Sequence, residues 1–264
     1  MMSSTEQQPA LLDEVGLQSL AERIAASRPA IFLDYDGTLS EIAPRPDLAT
    51  LDEGMRDRLR RLARGCPLGI ISGRDLDDVR RLVGVEGLIY AGSHGFDIDA
   101  PSGRHRMGEE YVAALSRAGE AVERALTAVP GALVEKKRYA VAIHTRQVPP
   151  ERKPEVGEAV AAVAAGEPEL RRTGGKELFE LRPNLPWDKG RALLHVLEAE
   201  GLGDCTPVYV GDDLTDEDAF AVLTERGIGV RVAEAGEPTK AAFVVSDVAT
   251  VGRLLDLVAD RLQA

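Results

Sequence analysis

Ala30-Ile31-Phe32-Leu33-Asp34-Tyr35-Asp36-Gly37-Thr38-Leu39 decides the fold class. Four apolar residues, too few for a helix, run straight into two aspartates with one residue between them and then a glycine. Such a run reads as a buried strand. Three more runs carry the same grammar. Leu68–Ile71 precedes Ser72-Gly73-Arg74, Leu88–Ala91 precedes Gly92-Ser93-His94-Gly95, and Val208–Val210 precedes Gly211-Asp212-Asp213. Helical periodicity lies between or after them, over 51–64, 75–83, 189–200, 216–226 and 248–262. An amphipathic stretch, 11–26, leads in. Strand and helix in alternation predict an α/β fold with a parallel sheet covered on both faces. Ligands of open α/β sheets bind beyond the carboxyl ends of the strands. Four polar, glycine-containing clusters at four such ends predict an active-site rim.

Residues 106–184 follow another pattern. A helical stretch (109–128) leads to alternation around 132–146, where Tyr139, Val141 and Ile143 share a face. A helix over 151–165 and a strand pair near 169–173 and 177–182 complete an α-β-β-α-β-β order, the pattern of a small α+β domain. The chain thus divides into a discontinuous domain of residues 1–105 and 185–264 and an inserted cap of residues 106–184. Pro183-Asn184-Leu185-Pro186 reads as the return hinge. A cap over the rim is expected to close on substrate and exclude water.

The 264 residues, 44% hydrophobic, suffice for these two bodies. No apolar run approaches the roughly 20 residues that cross a bilayer. Met1–Ala10 lacks the order of a secretory signal, so a soluble, cytoplasmic protein is expected. A formal charge of −12 repels nucleic acid and anionic lipid, which excludes both as partners. It also means that any phosphate site must be locally positive. Cys66 and Cys205 fit no metal or redox spacing and read as reduced, structural thiols. The basic run Arg56-Asp57-Arg58 with Arg60-Arg61 reads as a solvated helix face. Nothing exposed and apolar asks for a partner subunit, so a monomer is expected.

Asp34 and Asp36 are i and i+2 at a strand end, so both carboxylates approach one site while Tyr35 points away. Gly37 permits a sharp turn. Close carboxylates repel, and a divalent cation relieves the repulsion. Asp212 and Asp213 at another strand end add oxygen ligands of the kind magnesium prefers. An Asp-x-Asp pair alone is most often an ordinary turn. Its convergence with Thr38, Ser72, Lys189 and a second acidic pair is not explained by turn preference. Taken singly, Lys189 reads as a surface charge, Ser72 or Asp75 as the cap of the 75–83 helix, and Thr215 or Asp216 as the cap of the next one.

The set Leu33-Asp34-Tyr35-Asp36-Gly37-Thr38-Leu39, Ser72, Lys189 and Gly211-Asp212-Asp213 with Asp216 resembles the haloacid dehalogenase superfamily of phosphotransferases, from about residue 30 to the end. The resemblance implies a Rossmann-like core and a role for each residue. Asp34 would be the nucleophile that forms an aspartyl phosphate. Asp36 would be general acid, then base. Thr38 would orient the loop, Ser72 would hydrogen-bond the transferring group, and Lys189 would neutralise charge. Mg2+ would bridge Asp34, the backbone carbonyl of Asp36, and Asp212. Asp213 and Asp216 would act behind it or through water.

Finer motifs narrow the substrate. Gly92-Ser93-His94-Gly95, Val134-Glu135-Lys136-Lys137, Glu177 to Pro183 (E-L-F-E-L-R-P) and Gly211 to Phe220 (G-D-D-L-T-D-E-D-A-F) together look like trehalose-6-phosphate phosphatases. Tyr35 departs from that pattern, which carries phenylalanine there. A disaccharide offers hydroxyls and little apolar surface, so its site needs fixed donors and acceptors. Glu135 and Lys137 share a strand face and supply both. On an exposed sheet the same pair is only a surface ion pair. By resemblance they, with Lys176 and Glu180, would bind the sugar, and Arg146 is a further candidate. His94 either contacts substrate or holds its own loop. The expected reaction is hydrolysis of trehalose 6-phosphate with Mg2+, in an enzyme without an attached glycosyltransferase, fed by a separate trehalose-phosphate synthase. Alternatives are a phosphatase for another sugar phosphate, such as sucrose 6-phosphate or a phosphoglycerate glycoside, a phosphomutase, and a silent sugar-phosphate sensor.

Overall fold

The structure, a computed structural model, describes residues 9–45, 48–175, 177–223 and 226–263. In chain order its main elements are α1 (Glu14–Ala26), β1 (Pro29–Leu33), α2 (Glu53–Leu62), β2 (Leu68–Ile71), α3 (Leu76–Val83), β3 (Ile89–Gly92), β4 (Asp97–Ala100), β5 (Gly103–Arg106), α4 (Val112–Ala125), β6 (Leu133–Lys136), β7 (Val141–His144), α5 (Lys153–Gly166), β8 (Leu170–Gly175), β9 (Leu178–Pro183), α6 (Lys189–Ala199), β10 (Thr206–Gly211), α7 (Glu217–Leu223), β11 (Ile228–Val232), β12 (Phe243–Val245) and α8 (Val248–Leu262). They fall into two compact units, Met1–His105 with Trp187–Ala264, and Arg106–Pro186.

The first unit is built on an eight-stranded sheet in the order β12-β11-β10-β1-β2-β3-β4-β5. Pairing is parallel from β12 to β3 and antiparallel from β3 to β4. The chain winds outward from β1 through β2 and β3, then restarts at β10 on the other side of β1. The order therefore reverses between β1 and β10, the switch point where α/β sheets open a crevice.

Strand alternation sorts side chains into two cores. Ile31 and Leu33 pack with Leu59, Val79 and Leu255 on one face, while Ala30 and Phe32 join Leu193, Tyr209 and Phe220 on the other. Each such side chain contributes about 1.5–3 kcal/mol by leaving water. Among the described residues, four helices start on capping aspartates, α6 on Asp188, which accepts from the Arg191 N–H at 2.8 Å. Asp13 accepts from the Gly16 N–H, Asp52 from Met55 and Asp247 from Thr250, at 2.8, 2.8 and 2.7 Å. The basic run on α2 is more than a solvated face. Arg58 and Arg61 grip Asp256 of α8 at 2.8 and 2.9 Å, and Arg56 donates to the last carbonyls of α3, Leu82 and Val83. The cysteines are free. Cys66 packs against one core and Cys205 against the other. Burial pushes the Cys66 thiol up to about 12, which keeps it protonated.

The alternating strands and helices deliver the expected α/β class, but β4, β5, β11 and β12 are additions. Ile228-Gly-Val-Arg-Val and Phe243-Val-Val were too short or too interrupted to stand out as apolar runs. Parallel pairing of β11 to β10, and of β12 to β11, stabilises them from outside the segment. The amphipathic stretch at 11–26 is helical only from Glu14, because Asp13 caps it and Leu11 bridges to Val244 instead.

The second unit has α4 and α5 on one face of an antiparallel sheet in the order β6-β7-β9-β8. Val141, Ile143 and Leu181 pack with Leu115, Val122, Val156 and Val160. No helix among the described residues is long and apolar enough to cross a membrane.

Candidate active site

β1 stops at Leu33, yet the Asp34 N–H still donates to the Val210 carbonyl at 2.9 Å, so the ladder carries Asp34 to the switch point. Tyr35 turns into the core, fully buried, and its hydroxyl donates to the Ala49 carbonyl at 3.1 Å. The loop then folds back on itself. The N–H groups of Leu39 and Ser40 donate to the Tyr35 carbonyl, and that of Gly37 donates to Ser40. Thr38 is buried here, its hydroxyl without a hydrogen-bond partner.

Lys189 opens α6 behind its capping residue Asp188, and is 2% exposed. Its ammonium lies 3.0 Å from Asp34 Oδ1 and 2.7 Å from Asp216 Oδ1. Burial alone would lower its proton affinity, but Asp216 and Asp34 outweigh burial and hold it above the ordinary lysine value. Burial, with Asp216 and Asp212 adding, pushes the Asp34 carboxyl well above the usual carboxylate range, and Lys189 opposes the shift. Burial and then Asp216 push Asp212 up to about 7, again against Lys189.

Three carboxylates, Asp34, Asp212 and Asp216, each place an oxygen within 4.8 Å of the others. They differ in what already holds them. Asp216 Oδ1 accepts from Lys189 and from the Tyr209 hydroxyl, both at 2.7 Å. Its Oδ2 accepts from the backbone N–H groups of Asp212 and Asp213 at 3.1 and 2.9 Å. Four donors occupy its acceptor sites. Asp212 Oδ1, by contrast, is buried with no hydrogen-bond partner. An orphaned buried carboxylate oxygen beside a second carboxylate fits a divalent cation, and the donors are all oxygen, which suits a hard ion. Asp213 is exposed, and its side chain caps the turn at Leu214–Asp216. The helix start thus uses Asp213 as its cap, with Asp216 answering from inside the turn.

Asp36 is engaged elsewhere. Both of its oxygens accept from Arg74, Nε and one terminal nitrogen each at 2.7 Å. Arg74 also bonds Asp78 at 3.0 Å and lies over the Tyr35 ring, 5.2 Å from its centroid. Ser72, 1% exposed, is fixed by its N–H to the Ala91 carbonyl, and its hydroxyl accepts from the Arg74 N–H at 3.2 Å. Asp75 stands at the start of α3 but does not cap it, and accepts instead from the Ser93 hydroxyl at 2.7 Å. Ser93 and His94 both have left-handed backbones (φ 50° and 58°), an unfavourable conformation for such residues. The His94 N–H donates to the Ser72 carbonyl at 2.8 Å, and its ring lies so close to Gly73 that a Cβ there would be 2.8 Å away. His94 thus packs on the Ser72–Arg74 loop.

In the second unit, Glu135, Ala142, Glu180 and Thr173 stand in one register row across the four strands. Their neighbours in the next row, Val134, Ile143 and Phe179, pack toward α4 and α5, so the row lies on the opposite face. Glu135 accepts from His144 at 2.9 Å, with Lys137 at 3.9 Å. Glu180 is 3% exposed and accepts from Arg182 Nε at 2.7 Å. Arg146, just past β7, is exposed. Lys176 lies outside the described residues.

A trehalose-phosphatase family model matches residues 32–249. The chain belongs to the trehalose-phosphatase family. It is 41% identical to the trehalose-phosphate phosphatase of Mycobacterium tuberculosis over 96% of its own length, and 43% identical to that of Mycolicibacterium paratuberculosis over 92%. It spans 67% and 65% of those two relatives. A crystal structure described as a trehalose-6-phosphate phosphatase related protein superposes with a TM-score of 0.77 at 25% identity, covering 88% of this chain and 97% of that one. The C-terminal domain of the Candida albicans trehalose-6-phosphate phosphatase shares the fold, with a TM-score of 0.82 at 22% identity over 97% and 99% of the two chains.

Arg74, Tyr209, His144 and Arg182 were not assigned roles by sequence reasoning. For Arg74 the signal was the S-G-R cluster itself. For Tyr209 it was a hydroxyl inside an otherwise apolar strand, which must find a partner when buried.

Proposed function

We propose that the chain hydrolyses trehalose 6-phosphate to trehalose and phosphate, with Mg2+ as its cation and Asp34 as nucleophile. The observation that carries this is the Lys189 ammonium, held 3.0 Å from Asp34 beside the orphaned oxygen of Asp212. A buried carboxylate is a nucleophile only while ionised, and Lys189 favours that form. An Asp34 oxygen attacks phosphorus and the bond to the sugar oxygen breaks. Asp36 gives that oxygen its proton, then takes one from the water that hydrolyses the aspartyl phosphate. To do so it must release at least one of its Arg74 contacts. Ser72 and Lys189 receive the negative oxygens of the transferring group. Mg2+, held by Asp34, Asp212 and the Asp36 carbonyl, would supply charge neutralisation on the phosphate. Asp216 serves by fixing Lys189 and the 211–213 backbone, Asp213 by capping the turn, and Thr38 by filling the loop.

Glu135, Lys137, Glu180, Lys176 and Arg146 are the proposed sugar-binding set. Glu135 and Glu180 stand on either side of Ala142 in one register row, two acceptors on one sheet face for the hydroxyls of a sugar. His94 is assigned to the loop that presents Ser72. The test is phosphate release from a panel of sugar phosphates, with Mg2+ and with chelator. Trehalose 6-phosphate is expected to be preferred and the reaction to need the metal. Preference for another sugar phosphate would replace the substrate, and full turnover in chelator would overturn the mechanism.

A further inference from the structure

We propose that Tyr209 is a positioning residue for phosphoryl transfer, acting on Lys189 through Asp216; the proposal deepens the function proposed above and rests on it. Tyr209 lies in β10 between Val208 and Val210, but faces the other side of the sheet, among Phe220, Leu193 and Ala219. Its ring meets Phe220 edge-on, with centroids 5.7 Å apart and planes at 78°. The position of Tyr209 one residue before Val210 in β10 brings the hydroxyl to the ends of two helical segments. Lys189 begins α6, and Asp216 lies in the turn before α7.

The hydroxyl donates to Asp216 Oδ1 at 2.7 Å, the same oxygen that accepts from Lys189. Tyr209 and Asp216 are fully buried and Lys189 is 2% exposed, so water does not substitute for a lost donor. Lys189 has two carboxylates to serve. The 2.7 Å contact to Asp216 competes with the 3.0 Å contact to Asp34 for one ammonium. A neutral second donor on Oδ1 meets part of the demand of Asp216 without adding charge. This leaves the ammonium shared with the nucleophile rather than drawn off it. Burial, with Asp216 and Asp34 adding, raises the phenol above its ordinary value, so it stays a donor. A phenylalanine fills the same space and loses only this bond.

The experiment compares Tyr209→Phe with Phe220→Leu, a packing change beside the same ring. Tyr209→Phe is expected to lower kcat about tenfold, the scale of one hydrogen bond to a charged group, with KM unchanged. The loss should be equal on trehalose 6-phosphate and on an aryl phosphate, since it acts at phosphorus. Phe220→Leu should lower Tm and leave kcat within about twofold. In protein labelled with 15N-lysine, the Lys189 ammonium resonance should shift or exchange faster in Tyr209→Phe and not in Phe220→Leu. Wild-type kcat in Tyr209→Phe overturns the proposal. So does a fall in kcat matched by Phe220→Leu, which would mark general loosening. If the wild type releases phosphate from no monoester, the proposed reaction fails. The proposal of a role in phosphoryl transfer fails with it, and an altered Lys189 resonance would leave only the hydrogen-bond linkage.

Discussion

A Cβ on Gly37 would lie 2.1 Å from Oδ2 of Asp212. The loop after β1 and the loop after β10 therefore meet with no room for a methyl group. Gly37 also has φ +78°, a left-handed backbone that glycine adopts without steric cost. Two strand ends can present their aspartates to one cation only if something this small separates them. Gly37→Ala is expected to cost about 1–2 kcal/mol from backbone strain alone. It should also push the Asp212 carboxylate aside and lower metal-dependent turnover at least about tenfold. Thermal unfolding and Mg2+ titration of activity check both parts, and an alanine variant with wild-type Mg2+ dependence would refute the close approach.

Lys189 balances two buried carboxylates, Asp34 and Asp216. Lys189→Met keeps much of its length and removes the charge. Both anions then lose their counterion in a dry site, a change expected to cost about 3–5 kcal/mol of stability at neutral pH. Asp34→Asn removes one anion and leaves the Lys189–Asp216 pair, so its stability should stay close to wild type while turnover falls at least about 10³-fold. Urea unfolding of the two variants side by side makes the check. Equal stability for both would mean that the ammonium is not needed to balance the site.

Glu135 is bonded to His144 and stands near Lys137, on the sheet face away from α4 and α5. If it binds sugar hydroxyls, Glu135→Ala should reduce kcat/KM for trehalose 6-phosphate by about ten- to hundredfold, the value of one or two hydrogen bonds to a charged group. An aryl phosphate, which offers no hydroxyls, should lose less than about threefold. Equal losses on both substrates would return Glu135 to the role of a surface ion-pair residue.

The legible part of the fold was the part with short-range causes. β1, β2, β3 and β10 announce themselves because each apolar run is cut off by a glycine and polar cluster, and those clusters mark the ends that form the rim. β11 depends on pairing to β10, and β12 on pairing to β11, causes outside their own residues. In the site, Asp34 and Asp212 were legible as residue types at strand ends and Lys189 at a helix start. The engagement of Asp36 by Arg74 was not, because an arginine at the end of a flexible side chain reaches partners that spacing does not specify. The hydrogen bonds that fill Asp216 were equally hidden, since three of its four donors come from β10, the loop beyond it and the turn itself.

Acidity and metal should act on the same two carboxylates. Burial raises the folded-state affinity of Asp34 and Asp212 for protons, Asp212 to about 7, above the ordinary value of 3.8. The folded chain without metal therefore binds more protons than the unfolded chain between about pH 4 and 7. Stability from these groups is present at the acid end of that window and is lost as pH rises through it. The carboxylates held low by partners, Glu109, Glu177 and Asp247 among them, act in the opposite sense, with a window that closes below their ordinary values of 4.5 and 3.8. Lys189, held above its ordinary value, stays charged throughout. His195, held below its ordinary 6.5 by burial and by His105, favours the higher pH in the same window, one group against two. The chelated protein should thus show a lower Tm at pH 7.5 than at pH 5. Mg2+ favours the ionised carboxylates, so it should raise Tm more at pH 7.5 than at pH 5 and flatten the slope. Asp212→Asn, which cannot ionise, should show a shallower slope even in chelator. Calorimetry at the two pH values, with and without Mg2+, makes the check: a chelated wild type equally stable at both would mean that burial does not hold these carboxylates protonated, and a slope that Mg2+ leaves unchanged would mean that they do not carry the metal.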